Sequence, residues 1–150
     1  MYKPRTKPNE LLILEVLNKR MKLEIEEKQH FLNLKKGYEG KELFDKHAEK
    51  LQCECLILKD LLLEVNNTTF QIDSLIIVQG KIYLYEVKNY EGDYYYQSEK
   101  LFKKPHLEVI NPFHQLSRSE SLLRQLLLSI GFKPQLVSSI IFINPNFHFI

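Results

Sequence analysis

Two acids and a lysine, Asp73, Glu86 and Lys88, fall within the stretch FQIDSLIIVQGKIYLYEVK (residues 70–88) at a spacing that a β-hairpin would bring together. Gln79-Gly80 is a two-residue turn signal between two apolar arms, with Gly able to take a positive φ. Val78 facing Lys81 across that turn sets Asp73 directly opposite Glu86, and Gln71 opposite Lys88. Opposed side chains of such a ladder hold their Cβ atoms roughly 4.5–5.5 Å apart, a separation at which like charges repel. Two carboxylates that close need a cation or a shared proton, and a divalent metal is the simplest answer. By alternation Leu75, Ile77, Ile82 and Leu84 share the face of the two acids, so that face is expected to be buried rather than solvated. An ion held there with Lys88 alongside is equipment for making water nucleophilic and for stabilising a growing negative charge.

The pattern of an Asp, twelve residues, then Glu86-Val87-Lys88 resembles the core of the PD-(D/E)XK nuclease superfamily. Flanking residues narrow the resemblance to the NERD (nuclease-related) domain: Gly37-Tyr38-Glu39-Gly40, Gln71-Ile72-Asp73, Glu86-Val87-Lys88-Asn89 with Gly92, and Asn111-Pro112 with Gln115, in that order. The resemblance implies an α/β, restriction-endonuclease-like mixed β-sheet flanked by helices, and metal-assisted hydrolysis of phosphodiester bonds in DNA, with RNA as the alternative. Asp73 and Glu86 become the expected ligands of Mg²⁺, or Mn²⁺ as its substitute, with the Val87 carbonyl as a third. Lys88 becomes the residue that orients water or stabilises charge. Gln115 would act from one turn into a helix beginning near Pro112, whose positive end can face a phosphate. A further acid is expected from the first core helix, where relatives usually carry Glu directly after the second glycine. Here Lys41 follows Gly40, which leaves Glu39, the favoured choice, or Glu42 to complete the set. The same departure motivates a rival reading, a catalytically degenerate nucleic-acid-binding or interaction module of the same fold.

The elements around these residues follow from periodicity. Asn9 can cap a helix whose Leu14, Leu17, Met21 and Ile25 recur at helical spacing to about Leu32, an extra N-terminal helix open to a docking role. Gly37 and Gly40 read as a turn or helix start, followed by a second helix with Leu43, Phe44, His47 and Leu51 on its apolar face and His47 expected in the core. A strand from Leu56 to Val65, a turn at Asn66-Asn67 and the hairpin come next. A short hairpin turning at Ser98-Glu99, a helix from Pro112 to Gly131 and a buried strand over 136–143 complete the order. The expected organisation is an N-terminal extension over residues 1–34 and a nuclease-related domain over 35–150. Its last residues, NPNFHFI, look unfinished and leave open that the domain continues.

Composition narrows the partners. A net charge of +2 permits nucleic acid without demanding it, and no basic tail is present. Cys53 and Cys55, two residues apart on an extended segment, cannot readily bridge each other, which favours reduced thiols and a cytoplasmic setting. With His47 they lack a second ligand pair for zinc. The apolar run Leu11–Leu14 is too short for a signal peptide or a membrane span, so no membrane partner is expected. P-loop, dinucleotide and G-x-S-x-G signatures are absent from the sequence.

Overall fold

The computed structural model describes residues 2–150. In chain order the elements are β1 (Tyr2–Lys3), α1 (Asn9–Arg20), α2 (Ile25–Ala48), β2 (Leu56–Val65), β3 (Thr68–Val78), β4 (Lys81–Lys88), β5 (Gly92–Gln97), β6 (Lys100–Lys103), β7 (Leu107–Val109), α3 (Pro112–Ser129), β8 (Gln135–Phe142) and β9 (Phe147–Phe149). They form two mixed sheets, ordered β1-β2-β3-β4-β8 and β7-β6-β5-β9. No helix among the described residues is long and apolar enough to cross a membrane.

Gln79 and Gly80 both take positive φ, 49° and 78°, as a type I′ turn requires. The register that this turn predicts is the one observed, from Val78↔Lys81 to Ser74↔Tyr85. β4 then pairs parallel with β8 along its whole length, Lys81↔Gln135 to Lys88↔Phe142, after the crossover through α3. The large sheet is covered on both faces. On one, Leu116 and Leu123 of α3 pack on Phe70, Ile72, Leu75 and Leu84; on the other, Phe44 and Ala48 of α2 pack on Ile76 and Val87. Fully buried aliphatic side chains such as Ile72 and Leu84, each 1% exposed, contribute about 1.5–3 kcal/mol apiece.

The first helical stretch is not continuous to Leu32. α1 ends at Arg20, Met21 is extended, and Leu23 turns inward to pack with Leu11 and Phe31. The Glu24 amide then donates to Glu27 Oε2 at 3.2 Å, starting α2. Gly37 and Gly40 lie inside α2 rather than at a turn. Gly40 is there because α2 approaches the end of β4: a Cβ on it would stand 2.6 Å from the Asn89 Cβ. His47 is exposed, not in the core. The C-terminal residues that look unfinished in the sequence form β9, parallel to β5, with the Phe147 ring stacked on Phe142 at 4.0 Å.

One irregularity shapes the site. Core residues facing α3 run Leu58, then Leu61 and Leu63 on β2, and Phe70, Ile72, then Leu75 and Ile77 on β3. Alternation therefore slips by one in both strands at the same level, between Lys59↔Ser74 and Leu61↔Ile72. Asp60, at φ 48°, and Asp73 occupy the gap. The expectation that Asp73 simply shares the face of Leu75 and Ile77 is corrected by this slip, whereas Glu86 keeps the alternation of Ile82 and Leu84.

Candidate active site

Where the β3–β4 ladder ends, side chains take over from backbone. Asp73 Oδ2 accepts a hydrogen bond from the Val87 amide at 3.0 Å, and Asp73 Oδ1 pairs with Lys41 Nζ of α2 at 2.6 Å. On β4, Glu86 Oε1 lies 2.8 Å from Lys88 Nζ. Asp73 and Glu86 are only 7% and 9% exposed, yet both open onto a cleft of about 1060 Å³. Burial pushes the Glu86 carboxyl above its usual range and the neighbouring Asp73 charge adds to this, while Lys88 and Lys41 pull it back. Tyr90, also in the cleft, has its phenol raised by burial and by Glu86.

Three elements wall the cleft. α2 brings Lys36 and Lys41, the first turns of α3 bring Gln115 and Arg118, and the small sheet brings Tyr94 and Lys103. Asn111 starts α3 by accepting from the Phe113 amide at 3.0 Å, with Pro112 in the first helical position. Asn89 ties the walls together, donating to the Lys36 carbonyl at 2.8 Å and accepting from Asn144 Nδ2 at 3.0 Å. The lining carries Lys36, Lys41, Lys88, Lys103 and Arg118 against Asp73, Glu86, Glu91 and Glu108, so its field is only mildly positive.

A buried ion network holds the slipped strands in place. Arg5, its side chain 3% exposed, donates from Nε to Asp45 Oδ2 at 2.8 Å and from Nη1 to Asp60 Oδ1 at 2.6 Å. Its Nη2 reaches Asp45 Oδ1 at 3.1 Å and the Asp73 carbonyl at 3.0 Å. Burial works against the Arg5 charge, but the bond to Asp45 and the fields of Asp60, Asp45 and Asp73 more than offset it and raise its pKa. Lys59 stands behind, 3.0 Å from Glu49 and 3.6 Å from Asp45.

Residues 36–144 match the family model of the nuclease-related domain. The chain belongs to the NERD family. Its general kind is the PD-(D/E)XK superfamily. Searches of curated proteins and of solved structures returned no match.

Of the residues that the sequence singles out, this NERD domain gathers Asp73, Glu86, Val87, Lys88 and Gln115 in one cleft. Glu39 is not among them: it is exposed on α2, outside the lining. Glu42 is exposed too and turns to Tyr38, whose phenol is raised first by burial and then by Glu42. The helix thus presents Lys41 to the two carboxylates. In the sequence Lys41 shows only as a departure from the usual acid, and Asp45, Asp60 and Arg118 stand at no telling spacing; Arg5 belongs to a visible basic cluster, Lys3, Arg5 and Lys7, whose spacing does not point to the site.

Asp73, Glu86 and the Val87 carbonyl are an all-oxygen set, the chemistry of a hard cation. Among the described residues no three His, Cys, Asp or Glu side chains cluster as a metal site. Mg²⁺ is commonly held by one or two carboxylates with substrate phosphates and waters supplying the rest, and this set fits that sparse mode.

Proposed function

We propose that this NERD domain hydrolyses phosphodiester bonds in nucleic acid, DNA in the first instance, with Mg²⁺ or Mn²⁺ held by Asp73, Glu86 and the Val87 carbonyl. The observation that carries the reading is the convergence of Asp73, Glu86 and Lys88 on one cleft at the open end of the β3–β4 ladder. When bound, such an ion would supply a nucleophilic water and stabilisation of the phosphoryl charge. The chain's own residues do the rest. Val87 fixes Asp73 through its amide, and Arg5 fixes the Asp73 carbonyl. Lys88, held by Glu86, supplies a cation for the charge that grows on phosphorus. Gln115 and Arg118, from the first turns of α3, face the same space and suit phosphate oxygens. Free Cys53 and Cys55 suit a cytoplasmic setting.

A second reading is favoured by the Lys41–Asp73 pair: a fold that binds nucleic acid without turnover. Incubation of the purified chain with labelled DNA and RNA substrates, with and without Mn²⁺, separates the two. Cleavage that requires metal and is abolished in Lys88→Ala and Asp73→Ala, both still folded, supports hydrolysis. Binding without cleavage on every substrate supports the alternative, and an Asp73→Ala variant that cuts as fast as the parent refutes the site.

A further inference from the structure

We infer that Lys41 is a tethered counter-ion that a divalent cation must displace from Asp73, so that this one ion pair sets how much metal the site needs before it is loaded. The inference rests on the metal reading above and concerns what this chain adds to it. Asp73 has two carboxylate oxygens: Val87 N–H occupies Oδ2 and Lys41 Nζ occupies Oδ1 at 2.6 Å. An ion bound at Oδ1 and the Lys41 ammonium therefore compete for one oxygen. The centre is also self-neutralised, since Lys41 and Lys88 balance Asp73 and Glu86. A cation arriving there meets a site whose charge is already cancelled, and its attraction is correspondingly weak.

The pair is built to be displaced from one end only. Gly40 holds α2 against Asn89 with no room for a Cβ, and Asn89 is bonded to the Lys36 carbonyl, so the backbone at residue 41 is fixed. The Lys41 side chain is 25% exposed, whereas that of Asp73 is 9% exposed. A compact ammonium on a flexible four-carbon stem can swing into the cleft while the carboxylate stays. There it faces the same space as Lys36 and Arg118.

The test is Mn²⁺ binding, read from the free-ion paramagnetic resonance signal at fixed pH and ionic strength, on the 150-residue chain and its variants. Lys41→Met should bind Mn²⁺ at least about tenfold more tightly than the parent, and Lys41→Arg, which keeps the charge, should stay within about threefold. Without metal, Lys41→Met should melt below the parent and regain the difference on Mn²⁺ addition, because an ion that binds only the folded state stabilises it. Adding Asp73→Asn to Lys41→Met should remove the tight site. Lys41→Gln serves the same purpose should the Met variant not fold. Equal Mn²⁺ affinity in parent, Met and Gln chains overturns the competition and leaves the nuclease reading intact. Absence of any Asp73-dependent Mn²⁺ binding in all of them overturns both.

Discussion

Arg5 precedes the matched span, yet it is the buried cation on which the site's backbone rests. Replacing it with Met keeps a similar apolar stem and removes the guanidinium fork. Asp60 then loses its 2.6 Å partner, the Asp73 carbonyl loses a donor, and Asp45 keeps Lys59 at 3.6 Å. Breaking a buried ion pair by removing one partner costs about 3–5 kcal/mol, because the other charge is left desolvated. The presence of Lys59 next to Asp45 and the partial exposure of Asp60, 17%, place the expected loss near the lower end, about 3 kcal/mol. For a chain of this size that corresponds to a fall in Tm of about 6–12 °C. Arg5→Lys, which retains charge but not the fork, should lose less. Urea melts at neutral pH in the presence of a chelator measure both, with an unchanged slope showing that the same surface unfolds. A loss below about 1 kcal/mol in Arg5→Met, the range of an exposed pair, would show that the network contributes no more than a surface bridge and that Arg5 does not hold the slipped strands.

The two glycines of α2 should respond with opposite signs. Gly37→Ala meets nothing within 4 Å and should gain up to about 1 kcal/mol from helix propensity, while Gly40→Ala drives a Cβ into Asn89 and should lose about 1–3 kcal/mol in the same melts. Glu86 makes a pH signature in metal-free protein. Its folded pKa is raised, chiefly by burial, so the folded state binds the proton more tightly than the unfolded chain and its contribution to stability falls as pH rises from the ordinary carboxylate pKa through the raised one. That downward slope should vanish in Glu86→Gln and steepen in Lys88→Met; melts across this window that superimpose for the parent and Glu86→Gln would contradict the assignment.

What the sequence made legible was local. The Gln79-Gly80 turn sets a register that a two-residue period then carries to Tyr85, and Pro112 with Asn111 marks the start of α3. What it hid depended on distant partners. Nothing local ends α1 at Arg20; no Pro or Gly stands there, and the break is stabilised by Leu23 packing between Leu11 and Phe31. Gly37 and Gly40 read as punctuation because glycine weakens helices, yet α2 continues through both, and only at Gly40 does the close approach to Asn89 demand a missing side chain. β7 and β9 are three residues each, too short for a period, and exist through pairing with β6 and β5. In the site, alternation predicts neighbours along a strand but not where it slips. The slip at Asp60 and Asp73 is stabilised by Arg5, more than fifty positions away, a relation invisible to spacing. Lys41 likewise needed the helix rotation, fixed only by packing, to show that it and not Glu39 or Glu42 turns to Asp73.

The uninterrupted run of α2 from Ile25 to Ala48 has a practical consequence for anyone trimming this protein. The family match opens at residue 36, half-way along that helix. A fragment cut to those borders would start on a bare helical end, without the Glu24–Glu27 cap, without Phe31 and its neighbours, and without the guanidinium that neutralises Asp45 and Asp60. A failure of that fragment to act on nucleic acid would report the excision rather than the chemistry.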